Sequence, residues 1–372
     1  MTYRSVSKFP RWPLAAAALL LLAACSTRAP RPVPGDDPVL ELRQRIVARL
    51  PQRLDDRAGW AADIQTAFHA QGIPGTTENI CATLAVIEQE SGYDPDPPVA
   101  GLGDIARREL ERRARARRIP RLALSAALNI ASLDGRSYGQ RLDAVRSEGE
   151  LSELYEEVIS RVPLGARLLG GHNPVQTGGA MQVSIAFAAG RMDRYPYPGR
   201  DARREVFSRR GGLYFGIAHL LGYATPYTRK IHRFADYNAG WYASRNAAFQ
   251  HAVAVASGRT LALDGDLLLP GAPLERPGQT EAAVRSLGLG MDDAAVRREL
   301  EKGASLHFND SPLFARVFAL AEARHGAPLP RERLPGIALD SPKITRELTT
   351  AWFASRTYER YQRCMALQQP GG

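Results

Sequence analysis

Helical periodicity runs through most of this chain, with glycine and proline punctuation between the periodic segments, and strand signals are scarce. Apolar residues recur at three- and four-residue spacing over 38–50, 56–71, 77–91, 103–118, 149–161, 201–222, 227–237, 241–256, 292–302, 311–324 and 343–366. Alternation suggests a strand pair only around 174–184 and over 260–269, where Asp264-Gly265-Asp266 has turn chemistry. The expected fold is therefore mainly α, with one or two minor hairpins. No fixed-period repeat is present.

The amino terminus is a segment of another kind. Arg4, Lys8 and Arg11, with no acidic residue among them, precede a continuous apolar run from Leu14 to Leu22, which reads as a signal peptide over residues 1–24. A spanning helix needs about 20 apolar residues, so this run is too short to cross a bilayer stably. It ends in Leu22-Ala23-Ala24-Cys25, which resembles the lipobox of bacterial lipoproteins. The resemblance implies acylation of Cys25 and a lipid anchor. Ser26, in the place where an aspartate would retain the protein at the inner membrane, implies sorting to the outer membrane, facing the periplasm. A Ser/Pro-rich tether occupies 25–38.

Loss of Arg4, Lys8 and Arg11 with the signal peptide leaves 46 of the 49 basic side chains against 39 acidic ones, a net charge of +7. The excess is dispersed and almost all arginine, with lysine only at 8, 230, 302 and 343. That pattern, beside abundant alanine, reflects base composition rather than phosphate reading, and no nucleic-acid partner is expected. A weakly cationic surface suits an anionic polymer such as peptidoglycan, but names no partner by itself. Cys81 and Cys364 remain in an oxidising compartment and can pair, which would tie the C-terminal helix to the segment near residue 81. Two unlinked buried thiols are the other reading.

The helix 77–91 is the most informative stretch. Ile80, Leu84, Ile87 and Ser91 form one stripe, expected to be buried. At about 100° per residue, Glu90 falls to one side of that stripe and Glu88 to the other, so the two carboxylates cannot share one substrate atom. Glu90 sits in the last turn beside Gly92-Tyr93-Asp94-Pro95, where a half-buried carboxyl can face a cleft and acquire the raised pKa of a general acid. Glu88 reads as a solvated or salt-bridged flank.

Val86-Ile87-Glu88-Gln89-Glu90-Ser91-Gly92-Tyr93-Asp94-Pro95 resembles the catalytic Glu-Ser motif of lytic transglycosylases, in the superfamily that includes goose-type lysozyme. Gly178-Gly179-Ala180-Met181-Gln182-Val183 is similar to that family's Gly-Leu-Met-Gln segment, and Ala235-Asp236-Tyr237-Asn238-Ala239-Gly240 to its Tyr-Asn-Ala-Gly motif. The three motifs stand in the family's order. Ala180 replaces the usual leucine, Asp236 precedes the tyrosine, and 96–174 is much longer than the usual connection. The chain with this insertion also resembles a lipoprotein family of unassigned function in Gram-negative bacteria.

The resemblance implies a lysozyme-like domain over 39–256 with a helical insertion at 96–174, and a helical extension over 257–372 packed on the core. It implies Glu90 as the catalytic acid and base. Ser91, Gly179, Met181, Gln182, Tyr237 and Asn238 would line the substrate: glycines admitting a sugar close to the backbone, Met181 an apolar wall, and Gln182 an orienting amide. Tyr237 and Asn238 would hold the Glu90 carboxyl and an acetamido group in register. The implied reaction cleaves the bond between N-acetylmuramic acid and N-acetylglucosamine and closes a 1,6-anhydro ring, with the substrate's own N-acetyl group replacing a second carboxylate. Asp104, Asp193 and Asp236 then read as caps or surface charges.

Two other readings remain open at this point. One is a non-catalytic lipoprotein that binds peptidoglycan or a cell-wall protein through the cleft or the insertion, and the other is a hydrolytic muramidase in which water attacks. Gly135-Arg136-Ser137-Tyr138-Gly139 matches a nucleophile elbow, but the preceding stretch is helix-like, so a turn between helices is expected. His172, His219 and His232 lack zinc-ligand spacing, and no cofactor or metal is implied.

Overall fold

The structure, a computed structural model, describes residues 38–162, 173–199, 201–339 and 348–367. The segments read as a signal peptide and tether, residues 1–37 with Cys25, and His172 lie outside the described residues. The fold is mainly α-helical. No described helix is long and apolar enough to cross a membrane.

Three apolar clusters organise the chain. The first is built by α1 (Pro38–Arg49), α2 (Arg57–Ala70), α3 (Thr77–Glu90), the 180–188 segment, and two later helices, α10 (Arg209–Leu221) and α11 (Lys230–Ala239). The C-terminal helix α16 (Thr350–Met365) returns to this cluster, placing Ala354 and Cys364 in it. Cys81 and Cys364 form a disulfide that links α3 to α16 with Cα atoms 5.5 Å apart.

The second cluster belongs to the insertion. Here α4 (Leu102–Ala116), α5 (Arg121–Leu128), α6 (Tyr138–Ala144) and α7 (Glu148–Arg161) bury Leu110, Leu142, Leu154 and Tyr155 against one another. The third comprises α12 (Ala243–Ser257), α13 (Gln279–Arg285), α14 (Asp293–Glu301) and α15 (Pro312–His325), packed around Phe249, Phe308, Phe314 and Phe318. Its polar centre is Arg245, 1% exposed, which donates to the carbonyls of Gly303 and Ser305 and to Asn309 Oδ1.

Strands are minimal. β1 (Thr177–Gly178) pairs antiparallel with β2 (Val183–Ser184), with Thr177 opposite Ser184 and Gly178 opposite Val183. This is the hairpin expected at 174–184. A second pair joins β3 (Ala338–Leu339) to β4 (Leu348–Thr349).

The hairpin expected at 260–269 does not form. Its backbone groups are satisfied by side chains from α12: the Gln250 amide donates to the Asp266 carbonyl and accepts from Gly265 N–H, while Asn246 donates to the Gly265 carbonyl. Those bonds hold the Gly265 and Asp266 backbone against α12 and away from a cross-strand ladder. The helix expected over 201–222 is also interrupted, because Ser208 caps Gly211 N–H and starts α10 separately from α9 (Ala202–Val206).

Candidate active site

Helix α3 starts at an N-cap, Thr76, whose hydroxyl accepts from Asn79 N–H, and ends at Glu90, with Ser91 and then Gly92 at φ 62° turning the chain away. Residues Ile80 to Ile87 are all buried, so the helix is enclosed on every face over that stretch rather than on one stripe. Burying each of its larger apolar side chains contributes roughly 1.5–3 kcal/mol. Glu88 beyond them is exposed and paired with Arg360 at 3.4 Å and Arg363 at 3.1 Å, a bridged flank as its wheel position suggests.

Glu90 stands apart from that pairing. The residue is half-buried, and among the described residues its side chain makes no hydrogen bond and no ion pair. Burial of the carboxyl raises its pKa from 4.5 to about 8, and the charge of Glu148 pushes in the same direction. Desolvation disfavours the carboxylate, and no cation is close enough to restore it. Both effects favour the protonated, neutral acid.

Glu148 reaches this neighbourhood because the loop after Glu90 grips the start of α7. Asp96 accepts from the Ser147 hydroxyl and, at 2.9 Å, from Gly149 N–H, the residues on either side of Glu148. Val99 N–H donates to the Arg146 carbonyl at 2.8 Å in the same seam. The insertion is therefore anchored beside the catalytic candidate.

The three motifs converge. The Ser91 hydroxyl donates to the Ala180 carbonyl at 2.8 Å, and the Tyr237 hydroxyl to the Met181 carbonyl at 2.6 Å. Burial drives the Tyr237 pKa far up, and the charge of Glu90 adds to it, so the phenol remains a donor beside the Glu90 carboxyl.

The geometry changes several expected roles. Tyr237 spends its hydroxyl on Met181 rather than on Glu90, so it does not hold the carboxyl. Met181 is fully buried against Gly216, where a Cβ would come within 2.5 Å of it, so its side chain forms core and only its carbonyl serves the site. Gly178 and Gly179 make room for protein: a Cβ at Gly178 would meet the Phe207 ring at 2.2 Å, and one at Gly179, with φ 78°, the Val206 carbonyl at 2.1 Å. Ser91, Gly179, Met181 and Tyr237 are thus the frame. Gln182, in the left-handed region at φ 49°, is half-buried with its amide oxygen accepting from the Thr177 hydroxyl at 3.4 Å, and Asn238 is exposed at the end of α11.

Asp236 is not a surface charge. It is fully buried and accepts from the hydroxyls of Tyr223 at 3.0 Å and Tyr227 at 2.7 Å, and from the N–H groups of Tyr242 and Ser244 at the start of α12. It acts as a cap reached from the preceding helix, fixing the turn that carries Tyr237 and Asn238. Ser137 is the N-cap of α6 in a capping box with Gln140, which accounts for the elbow-like pattern as a turn between helices.

Sequence reasoning missed an aromatic group that adjoins Tyr237. His219 Nε2 lies 3.1 Å from the Tyr237 carbonyl, and its ring packs against Tyr237, Phe187 and Trp241. Burial lowers the His219 pKa, which keeps the ring neutral. The signal available was Trp241, the residue directly after Tyr-Asn-Ala-Gly. A separate cavity of about 550 Å³ lies in the insertion between α4, α5 and α6, lined by Arg107, Glu111, Arg115, Arg121 and Asp143 among others, and it includes none of the motif residues. Among the described residues, no three His, Cys, Asp or Glu side chains cluster as a metal site would require.

Comparison with known proteins adds two findings. A family described as "Protein of unknown function (DUF1615)" matches residues 53–367. The "Uncharacterized protein YaiW" of Escherichia coli (strain K12) is 51% identical over 351 residues, covering 94% of this chain and 96% of its own length. No solved structure matches the chain.

Proposed function

The chain belongs to the DUF1615 family of proteins of unknown function, and from that premise we propose that it is an outer-membrane lipoprotein with a lysozyme-like core that cleaves peptidoglycan glycan strands as a lytic transglycosylase. The observation that carries the reading is the Glu90 carboxyl: desolvated, raised to a pKa of about 8, and without a partner where three motif segments meet. A carboxyl held neutral at pH 7 is a proton donor awaiting a leaving group. A structural glutamate would have a cation or several N–H donors, as Glu281 has in Arg285 and Arg297.

In this reading Glu90 gives its proton to the glycosidic oxygen as the bond from C1 of N-acetylmuramic acid breaks, and the N-acetyl carbonyl of the same sugar stabilises the positive centre. The C6 hydroxyl then bonds to C1, its proton returns to Glu90, and the 1,6-anhydro product leaves with the acid restored. The exposed Asn238 amide and the Gln182 amide N–H groups, whose oxygen accepts from Thr177, orient the sugar substituents. Cys25 carries the lipid, and the tether lets the domain reach the wall from the membrane.

Digestion of purified sacculi, with mass spectrometry of the released fragments, tests this. Wild type is expected to release anhydro-muropeptides and Glu90→Gln to release none. Water-added products that depend on Glu90 would mean a hydrolytic muramidase. No release by wild type that nonetheless co-sediments with sacculi would mean a binding protein.

A further inference from the structure

Phe187, on α8 (Ile185–Ala189), carries the Arg191 guanidinium on its face, with the guanidinium carbon 3.7 Å from the ring centroid. The same group stands 5.2 Å from the Trp241 ring. Trp241 is stacked on Tyr223 at 4.9 Å and fixed by its indole N–H, which donates to the His219 carbonyl at 2.7 Å. Phe187 meets His219 edge-on at 4.7 Å, and His219 in turn lies 4.9 Å from the Tyr237 ring. These contacts make a half-buried aromatic shelf that runs from Arg191 to the tyrosine beside Glu90.

Arg191 has no acid in contact: among the described residues its side chain makes no ion pair and no hydrogen bond, and the exposed Asp193, which pairs loosely with Arg194 at 3.9 Å, acts on it only through its charge. Other half-buried arginines of this chain have their N–H groups engaged: Arg203 faces Glu156, Arg209 faces both Asp56 and Asp63, and Arg233 donates to the Leu220 and Tyr223 carbonyls. Burial, and then the charge of Arg194, work against the Arg191 cation. A partly desolvated guanidinium therefore stands over an aromatic ring with its N–H fork uncommitted. Such a fork, with its plane already fixed, matches a carboxylate through two parallel hydrogen bonds.

We propose that Arg191 on the Phe187–Trp241 shelf is a carboxylate-binding subsite that takes the peptide borne by the glycan, so that the protein engages peptide-substituted strands in preference to naked ones. This rests on the peptidoglycan reading above and adds to it the part of the polymer that is recognised. The shelf supplies apolar area for the peptide or the sugar face, and the fork supplies the charge that distinguishes a carboxylate from an amide. Arg191 is a specificity residue here and takes no part in bond cleavage.

Calorimetric titration of the full chain with a soluble N-acetylglucosaminyl-N-acetylmuramyl tripeptide tests it, because this ligand lacks the bond proposed for cleavage and survives the measurement. The comparison ligand is the same molecule with its carboxylates amidated. Wild type is expected to bind the free-carboxylate form at least about tenfold more tightly. Arg191→Gln should bring the two affinities within about twofold. Arg191→Lys, which keeps the charge and the aliphatic stem, should retain only part of the preference and serves as the reading if Arg191→Gln unfolds. Equal affinity of wild type for both ligands, no binding of either, or full preference in the arginine variants would overturn the subsite. The enzyme reading fails separately: preference without release from sacculi leaves the subsite standing, and release without preference removes the subsite alone.

Discussion

The hydroxyl of Tyr237 and the carbonyl of Met181, 56 residues apart in sequence, are joined by a buried 2.6 Å hydrogen bond. The bond stitches the α11 terminus to the turn between β1 and β2, and with the Ser91 to Ala180 bond it fixes the walls around Glu90. Tyr237→Phe leaves a buried carbonyl without its donor and should destabilise the fold by about 1–3 kcal/mol. Because the phenol does not hydrogen-bond to Glu90, the phenylalanine ring should still desolvate the carboxyl. Chemical denaturation and sacculus digestion of the same variant check both halves: clear loss of stability, with retention of more activity than in Glu90→Gln.

The raised pKa of Glu90 has a signed effect on stability. Between 4.5 and about 8 the folded chain binds a proton that the unfolded chain has released, so the contribution is complete below 4.5 and is lost as pH rises through 8. Glu90→Gln removes the ionisable group. The variant should therefore gain on wild type as pH rises from 5 to 9, by about 2 kcal/mol after discounting for the partial exposure of the residue. Urea midpoints measured across that range give the comparison, and a constant difference between the two proteins would contradict it. Activity, where measured, should fall on the alkaline side near pH 8, since the acid must start protonated.

The disulfide between Cys81 and Cys364 closes nearly the whole domain, at a sequence separation of 283. Chain-entropy reasoning assigns such a loop roughly 5–6 kcal/mol, more than most single contacts contribute. Cys364→Ser, or thorough reduction of the wild type, should lower the thermal midpoint markedly, and the same reductant should leave Cys364→Ser unchanged.

Gly179 tests the correction to the glycine motif. With φ 78° and the Val206 carbonyl 2.1 Å from where a Cβ would stand, Gly179→Ala should cost more than about 3 kcal/mol through backbone strain and displacement of α9. Gly92→Ala, at φ 62° with nothing within 4 Å, should cost only about 1 kcal/mol. Equal losses would mean that contact with Val206 is not what excludes a side chain at 179.

What the sequence made legible was local or chemically marked. The periodicity of 77–91 located α3 and put Glu90 off its apolar stripe, and the two mature cysteines left one internal pairing to consider. The convergence of Glu90 with the 178–183 and 235–240 segments was reachable only through motif resemblance, because no local pattern encodes contacts across 89 residues such as Ser91 to Ala180. The short helix α13 escaped notice, and α5 and α6 were legible only as the helix-like flanks of a turn, because seven or eight residues barely complete two turns of a periodic signal. Asp236 read as a cap or a surface charge, and only the structure decides for the buried cap, because its partners, Tyr223, Tyr227 and the start of α12, are assembled by tertiary structure. Arg191 was silent for the related reason that a missing partner leaves no trace in sequence.

Everything proposed for catalysis depends on Glu90 holding its proton at neutral pH. Carbon-13 NMR of the side-chain carboxyls, titrated from pH 4 to 10 in wild type and Glu90→Gln, isolates that one resonance by its disappearance from the variant. A titration midpoint near 8 is the predicted result. A midpoint near 4.5, the ordinary carboxylate value, would contradict the account.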